Sequence, residues 1–316
     1  MKCKKCGGLA VIGMRQHRLA LCADHFVEWF VSYTQRAIEK YRMFGSDDKL
    51  LLAVSGGKDS LALWDVLSQL GYRADGMYIG LGIGGDGGDG YSAASQLKAE
   101  AFAEARGLAL HVVDVKQTYG QSIPELAQTT RRGQRPCSLC GLVKRHIMNR
   151  LAYEGSYHVI ATGHNLDDEA AILMQNTLHW QVGYLARQSP VLPSVGRGSL
   201  TEPRLARKVK PFVRLYERET AAYAIVRGID YIYDECPHAV GSKTIFYKEL
   251  LNQLEGRSPG AKLSFYLSFL KVKREGLLSV REKALELHDC QNCGQPTSAP
   301  ELCAFCRLWE QRMDSG

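Results

Sequence analysis

Cysteine and histidine residues near the two ends of this 316-residue chain have the spacing of metal ligands. Each end offers four: Cys3, Cys6, Cys22 and His25, and then Cys290, Cys293, Cys303 and Cys306. Tetrahedral Zn²⁺ takes four such ligands, and a Cys-x-x-Cys pair places two thiolates on one side of the ion. Closed four-ligand sites are structural, so we expect two zinc modules that stabilise the fold and dock a macromolecule. The alternative is a set of small buried thiols.

A third group contains three cysteines from the middle of the chain: Cys137, Cys140 and Cys236. Three thiolates cannot complete a four-ligand zinc site, but they can hold a 4Fe-4S cluster with one iron left open. The rival chemistry is a persulfide on one cysteine that a second cysteine resolves by forming a disulfide. Three buried structural thiols are the remaining interpretation. Cations lie nearby in the sequence, which predicts lowered thiol pKa values: Arg135, Lys144 and Arg145.

A glycine motif between an apolar strand and an amphipathic helix reads Ser55-Gly56-Gly57-Lys58-Asp59-Ser60. Glycines let backbone N–H groups surround an anion, and a helix N-terminus adds a partial positive charge. Ser55 and Ser60 could donate to phosphate oxygens, Lys58 could neutralise phosphate charge, and Asp59 could hold Mg²⁺ or position a loop. The spacing is not that of a Walker A loop. The alternative is an ordinary glycine turn.

Apolar runs and helical periodicity alternate along the chain. Strands are predicted at 49–54, 76–80, 109–115, 157–162 and 231–233, and helices at 26–44, 61–70, 92–105 and 165–178. This alternation predicts an α/β fold with a parallel sheet. Residues 80–90 include seven glycines, which predicts a flexible loop.

The composition is that of a globular protein, with 45% hydrophobic and 23% charged residues. No run approaches 18 apolar residues, so we expect no membrane span. The start of the chain has no secretory signal, and we expect reduced thiols and a cytoplasmic location. A formal net charge of +7 permits a nucleic-acid partner. Two basic stretches, at 131–150 and 204–218, are candidates for RNA phosphate contacts, with solvated faces as the alternative.

Three motifs together carry a resemblance to a known family. The motif at 55–60 resembles the SGGxDS signature of the PP-loop ATP pyrophosphatases. Residues 137–145 resemble the CxxCGxxKR motif of tRNA 2-thiolation enzymes, and residues 162–170 resemble their TGHNxDDEA box. With a zinc module at each end, the whole layout is similar to tRNA 2-thiouridine synthetases of the TtuA type. The related 2-thiocytidine synthetases share the core motifs but usually lack these modules.

The resemblance implies a doubly wound sheet with ATP at the carboxyl ends of its strands. It implies a set of residues that bind ATP and Mg²⁺: Ala53, Val54, Ser55, Gly56, Gly57, Lys58, Asp59, Ser60, Ile79, Gly163, His164 and Asp168. It also implies a catalytic set: Cys137, Cys140, Cys236, Lys144, Asp168 and Asp59. The corresponding layout is a zinc module at 1–27, a linking helix at 28–47, a catalytic domain at 48–241, a helical basic region at 242–287 and a zinc module at 288–316.

The implied reaction is ATP-dependent thiolation of tRNA. Separately, we expect a homodimer because two-fold dimers are common. ATP would adenylate O2 of a uridine or 5-methyluridine, expected in the T-loop, and sulfur from the three-cysteine site would replace it. The sulfur donor would be a thiocarboxylated ubiquitin-like protein or a sulfide or persulfide source. Alternatives are thiolation of the wobble uridine or of cytidine by a persulfide route, and a synthetase with a nitrogen nucleophile. A zinc-ribbon RNA-binding protein with a degenerate ATP site is the non-enzymatic alternative.

Overall fold

The computed structural model describes residues 1–84, 90–129, 136–195, 205–277 and 287–310. Its strands are β1 (Ile12–Met14), β2 (Leu19–Leu21), β3 (Leu50–Val54), β4 (Ala74–Gly80), β5 (Leu110–Asp114), β6 (Val159–Thr162), β7 (Val191–Leu192), β8 (Arg207–Val209), β9 (His288–Asp289) and β10 (Pro296–Thr297). Its helices are α1 (Ala23–Lys40), α2 (Lys58–Gln69), α3 (Tyr91–Glu104), α4 (Val115–Tyr119), α5 (Ile123–Thr129), α6 (Pro136–Glu154), α7 (Leu166–Leu178), α8 (Val182–Arg187), α9 (Glu217–Val226), α10 (Lys243–Arg257), α11 (Ala261–Arg274) and α12 (Ala304–Glu310).

The central sheet has six strands in the order β5-β4-β3-β6-β8-β7. All are parallel except β7, which runs antiparallel to β8. The middle strand β3 reads Leu-Leu-Leu-Ala-Val, and all of its side chains except Ala53 are buried. A continuous apolar strand of this kind is covered on both faces, as parallel sheets require. The predicted doubly wound α/β fold is confirmed.

The strand order reverses between β3 and β6, at the middle of the sheet. From β3 the chain moves outward through β4 to β5, and then returns to the other side of β3 as β6. The connections that leave β3 and β6 therefore diverge, and a crevice forms at the carboxyl ends of these two strands. The glycine motif follows β3, and the motif at 162–170 begins at the end of β6, so the fold brings both motifs to this crevice.

Separate apolar clusters cover the two faces of the sheet. On one face Trp64 of α2, Phe30 of α1 and Tyr223 of α9 are fully buried, together with apolar residues of the amino-terminal module. On the other face Leu139 of α6 packs in one cluster with Phe305 of the carboxyl-terminal module. Each terminal module is thus joined to the catalytic domain through a different face.

Most predicted elements are confirmed, with small shifts at their ends. The first four predicted strands are β3, β4, β5 and β6, and the four predicted helices are α1, α2, α3 and α7. The strand predicted at 231–233 is wrong, because these residues form no strand. Instead, the Ile232 N–H donates to the Gly56 carbonyl at 2.9 Å, which ties the segment to the glycine motif. The last parallel strand is β8, whose charged sequence concealed it.

The basic stretch at 204–218 is largely engaged within the protein. Three of its cations contact protein groups: Arg207 binds the Met43 carbonyl at 3.0 Å, Lys210 the Glu169 carboxylate at 2.6 Å, and Arg214 lies 5.2 Å from the Tyr33 ring centroid. Burial, with Arg145 nearby, lowers the pKa of Lys208 to about 8. The structure therefore does not support phosphate contacts for these residues. Arg204, Arg135 and residues 85–89 of the glycine-rich loop lie outside the described residues.

No helix in the described part of the chain combines the length and the apolar character needed to cross a bilayer.

Candidate active site and metal centres

The loop after β3 depends on glycine at its first turn. Gly56 has a φ of +72°, and a Cβ at this position would lie 2.1 Å from the Ser95 carbonyl oxygen of α3. Both the conformation and the close approach exclude a side chain. Gly57 is extended and caps α2, whose first turn carries Lys58 and Asp59. The loop thus leads directly into a helix N-terminus, an arrangement that favours binding of phosphate.

The two serines of the motif hold the loop together. The Ser60 hydroxyl accepts the Ser55 N–H at 3.1 Å and donates to the Gly57 carbonyl at 3.0 Å. The Ser55 hydroxyl lies 3.2 Å from that of Ser60. Ser60 is 5% exposed. The Ser60 hydroxyl therefore stabilises the loop. The backbone N–H groups, Ser55 and Lys58 are better placed to bind phosphate.

The motif at 162–170 begins at the end of β6 and supplies the amino-terminal cap of α7. The Asn165 side chain accepts the Asp167 and Asp168 N–H groups at 2.9 and 3.2 Å, and the Asp168 carboxylate accepts the Asn165 N–H at 3.1 Å. This reciprocal capping box satisfies backbone donors at the helix start. A Cβ on Gly163 would lie 2.8 Å from the Asp59 backbone, so glycine lets β6 approach α2. His164 is exposed, and its Nδ1 lies 2.8 Å from the Thr162 hydroxyl.

Three consecutive acids in α7 have different environments. Asp167 is buried, pairs with Lys262 of α11 and accepts the Glu217 N–H at 2.9 Å. Glu169 is fully buried and pairs with Lys210 at 2.6 Å. Only Asp168 keeps a partly exposed carboxylate, at 24%. Asp167 and Glu169 therefore hold the fold, and Asp168 is the acid of this run that can meet a ligand.

Five charged side chains form a connected set across the crevice, which we call the charged ring: Lys58, Asp59, Asp168, Glu217 and Lys248. Lys58 lies 3.0 Å from Asp59 and 2.8 Å from Glu217. Lys248 lies 3.1 Å from the other oxygen of Glu217 and 2.6 Å from Asp168. The Asn165 amide closes the ring by donating to Asp59 at 3.2 Å. Cations and carboxylates at the end of a phosphate-binding loop are the groups that Mg²⁺ and a polyphosphate require.

Burial and neighbouring charges shift the pKa values of four groups in the charged ring. Burial alone would lower the pKa of Lys58 and of Lys248, but the neighbouring carboxylates outweigh it and raise both. Burial opposes ionisation of Glu217, yet the two lysines lower the pKa of this carboxyl to about 2. Burial raises the pKa of Asp59, and Lys58 and a hydrogen bond from Thr220 oppose that rise.

The three central cysteines come together from two segments. Cys137 and Cys140 lie in the first turns of α6, and Cys236 lies beside a short 3-10 helix at Pro237–Ala239. The Cys137 Sγ lies 3.3 Å from the His238 carbonyl oxygen. Burial raises the pKa of the Cys140 thiol, and the Cys236 and Cys137 charges add to this effect against the lowering by Lys144. The expectation of a lowered pKa is therefore wrong for Cys140, because burial outweighs the nearby cation.

One chain segment joins the cysteine site to the glycine motif. Ile232 hydrogen-bonds Gly56, and Cys236 follows four residues later. Four residues span at most about 14 Å, so the third thiol lies within that reach of the Ile232 contact. The start of α3 links the same two places: Ser95 contacts Gly56, and the Cys236 and Cys140 charges help burial to raise the pKa of Tyr91. A cavity of about 340 Å³ opens beside Pro237.

The four amino-terminal ligand residues converge as predicted, with their ligand atoms within 4.8 Å of one another. The His25 Nδ1 lies 3.2 Å from the Cys22 Sγ and 3.5 Å from the Cys3 Sγ. Although burial opposes the thiolate, hydrogen bonds from nearby backbone N–H groups lower the pKa of Cys3 to about 5. The thiolate form that a metal needs is therefore favoured.

The four carboxyl-terminal cysteines also converge within 4.8 Å of one another. Both modules contain the same turn, in which the main-chain carbonyl of the first cysteine accepts the N–H of the glycine four residues later. The distance is 2.9 Å for Cys3 and Gly7 and 2.8 Å for Cys290 and Gly294. Both glycines have positive φ, at +76° and +69°. Such turns bring the two cysteines of each Cys-x-x-Cys pair to one side, and the four side chains of each module could hold one metal ion.

The carboxyl-terminal module lies directly on α6, the helix that carries Cys137 and Cys140. The His146 ring of α6 stacks on Phe305 with the centroids 3.6 Å apart. The Gln295 amide donates to the His146 carbonyl at 3.1 Å, and the Trp309 indole donates to the Tyr119 carbonyl at 2.6 Å. This module therefore supports the helix of the cysteine site.

The other predicted ATP-site residues lie at strand ends near the same crevice. Ala53 and Val54 end β3, and Ile79 lies one position before the end of β4. Lys144 lies one helical turn after Cys140, close enough to oppose the rise in its pKa. Sequence reasoning missed Asn165, Glu217, Thr220 and Lys248. Asn165 could have been found from its position as a helix cap, but only tertiary structure brings α9 and α10 to the site.

The fold and this crevice define a doubly wound α/β protein of the PP-loop type, with a cluster of four potential metal ligands at each end. The family described as "2-thiouridine synthetase TtuA, N-terminal LIM domain" matches residues 2–27. The tRNA-5-methyluridine(54) 2-sulfurtransferase of Thermus thermophilus is 50% identical over 98% of this chain and 91% of its own. The tRNA-5-methyluridine(54) 2-sulfurtransferase of Thermotoga maritima is 43% identical over 98% and 97%. The chain therefore belongs to this family of tRNA 2-sulfurtransferases, the enzymes that thiolate tRNA.

A solved structure supports the fold independently. The U34-tRNA thiolase NcsA from Methanococcus maripaludis, determined with its 4Fe-4S cluster, matches with a TM-score of 0.75 at 24% identity. The match covers 99% of this chain and 96% of that one.

Proposed function

We propose that this protein uses ATP to adenylate O2 of 5-methyluridine 54 in the T-loop of tRNA and then replaces that oxygen with sulfur. The observation that carries the proposal is the segment from Ile232 to Cys236, which binds the phosphate loop at one end and supplies a thiol at the other. Adenylation and sulfur transfer must act on one base, so their two sites must be neighbours. The names of the similar enzymes supply the target nucleotide.

The adenylation step needs cations and an anchored metal. In this proposal the glycine-motif N–H groups and Lys58 bind the triphosphate, and Asp59 and Asp168 hold Mg²⁺. Uridine O2 attacks the α-phosphorus, a new O–P bond forms, and the bond to pyrophosphate breaks. The two carboxylates belong to loops that Asn165 holds together, which fixes the metal relative to the phosphates.

The sulfur-transfer step would take place at Cys137, Cys140 and Cys236. In the described part of the chain, sets of ligand atoms meet within 4.8 Å only in the two terminal modules. Three thiolates are one ligand short of a closed zinc site, which fits a 4Fe-4S cluster that keeps one iron open. A 4Fe-4S cluster held by these residues would supply one open iron that binds sulfide. Lys144 would stabilise AMP as it departs with the former O2.

The rival route places a persulfide on one of these cysteines, with another resolving it as a disulfide. Metal and sulfide analysis of anaerobically purified protein distinguishes the two. The cluster route predicts about four irons with sulfide per chain, beside about two zincs in the terminal modules. A content of two zincs and no iron per chain, even after anaerobic reconstitution, would indicate the persulfide route.

The tRNA substrate makes the reaction distinguishable from its alternatives. Pyrophosphate release should depend on tRNA, and the product should be a thionucleoside at position 54. Thiolation at the wobble uridine instead would overturn the target assignment, and lysidine-type products would point to a nitrogen nucleophile. A homodimeric state, a cytoplasmic location and a thiocarboxylated ubiquitin-like donor stay predictions.

A further inference from the structure

We infer that Lys248 of α10 is a second phosphate-binding lysine of the ATP site, and that it holds the β- and γ-phosphates. The inference rests on the proposed ATP site and extends it to a region of the chain with no recognisable motif. For this region, residues 242–287, the sequence predicts only basic helices and no residue of the ATP site.

The position of Lys248 carries the inference. Its ammonium lies 3.1 Å from one oxygen of Glu217, while Lys58 lies 2.8 Å from the other oxygen of the same carboxylate. One carboxylate thus holds two ammonium groups side by side at the end of the phosphate loop. A polyphosphate offers several oxygens at comparable spacing and can replace Glu217 as the partner of both lysines.

The charge balance of the ring gives the second argument. The ring has three carboxylates and two lysines. If Lys58 were the only lysine to bind the triphosphate, the phosphates would lie beside an excess of negative charge. A Mg²⁺ held by Asp59 and Asp168 would offset part of that charge, and it would compete with Lys248 for the Asp168 carboxylate. The ammonium then lies beside the phosphates that leave as pyrophosphate.

Lys248 differs from the lysine that fastens the helical region to the domain. Lys262 is 3% exposed and pairs with buried Asp167 and with Asn252, so its role is structural. The Lys248 side chain is 21% exposed and faces the crevice residues Asp168 and Glu217. Attachment of α10 does not require Lys248, since Tyr247 and Leu251 already pack against Ala170 and Ala171 of α7.

The test compares nucleotide binding by Lys248→Met with that by Lys243→Met, an exposed lysine on the same helix. The dissociation constants of Mg–ATP and of AMP are measured by calorimetry. Lys248→Met should weaken Mg–ATP binding about 10–100-fold and leave AMP binding unchanged, because AMP lacks the β- and γ-phosphates. Lys243→Met should change neither, and Lys248→Arg should retain most of the affinity.

Glu217→Gln separates phosphate binding from a structural ion pair. If Lys248 binds phosphate, removing the competing carboxylate strengthens Mg–ATP binding, the opposite of the effect of Lys248→Met. If the pair only stabilises the fold, both substitutions weaken ATP and AMP binding alike, and the inference is overturned. Equal ATP affinity of Lys248→Met and wild type also overturns it, whereas failure of the wild-type protein to bind Mg–ATP overturns the proposed function as well.

Discussion

Asn165 donates a side-chain hydrogen bond of 3.2 Å to Asp59, a residue 106 positions earlier in the chain. The same side chain caps α7 by accepting the Asp167 and Asp168 N–H groups. One amide therefore aligns the loops after β3 and β6, and with them Asp59 and Asp168, the two carboxylates of the proposed Mg²⁺ site. The proposed Mg²⁺ site therefore depends on a residue that itself has no acid–base chemistry.

Asn165→Ala should lower both stability and nucleotide affinity. Loss of the cap costs about 1–2 kcal/mol in the free energy of unfolding, measured by chemical denaturation. Asn165→Ser is the matched control, because a serine hydroxyl can still cap the helix but cannot reach across to Asp59. The serine variant should recover most of the stability while Mg–ATP binding stays weak. Normal ATP binding by Asn165→Ala would contradict the alignment role.

Neighbouring acids in α7 should behave in opposite ways. Asp168→Asn removes a ligand-facing charge, so tRNA-dependent pyrophosphate release should fall about 100-fold or more while the fold persists. Asp167→Asn leaves the buried Lys262 ammonium without its carboxylate and should cost about 3–5 kcal/mol of stability. The measurements are thermal unfolding and initial rates. An active Asp168→Asn enzyme would remove this residue from the catalytic set.

His146 should make the protein less stable in mild acid. Burial, with Arg150 nearby, lowers the pKa of His146 from 6.5 to about 4. Between these values the unfolded chain binds the proton and the folded chain does not, so stability falls as the pH drops from about 6.5 to 4. The loss is about 3 kcal/mol at most and is complete below pH 4.

His146→Phe should remove this contribution to the pH dependence and keep the stacking on Phe305. Within the part of the chain that the structure describes, the His146 Nε2 is buried without a hydrogen-bond partner, so its removal should not destabilise the protein at pH 7. Denaturation of both proteins from pH 4 to 7 gives the comparison, in which loss of metal from the modules is common to both. Parallel curves would refute the assignment.

The cysteines should divide into two functional groups. Cys137→Ala should abolish thiolation while tRNA binding and the unfolding temperature change little, because Cys137 is exposed. Cys290→Ser changes a buried ligand of the module that supports α6, so it should lower the unfolding temperature and the zinc content. Full thiolation by Cys137→Ala would refute the sulfur site, and a fully stable Cys290→Ser protein would refute the structural role of the module.

Local sequence was sufficient for the parts of the fold that local interactions specify. The apolar run of β3, the glycines after it and the Cys-x-x-Cys spacings each indicate their own structure. β8 was missed because its residues Arg207 and Lys208 are charged, and its place between β6 and β7 depends on tertiary contacts such as the hydrogen bond from Arg207 to the Met43 carbonyl. Glu217 and Lys248 could not be predicted, since only the packing of α9 and α10 against α7 brings them to the phosphate loop.

The proposed function is tested most directly by nucleoside analysis of tRNA after incubation with anaerobically prepared protein, Mg–ATP and sulfide. Mass spectrometry should find the 2-thio form of 5-methyluridine at position 54, formed only when ATP is present. Asp59→Asn and Cys137→Ala should each abolish the product for different reasons, loss of adenylation and loss of sulfur transfer. Thionucleoside formation without ATP, or undiminished formation by either variant, would contradict the proposed ATP-dependent sulfur transfer.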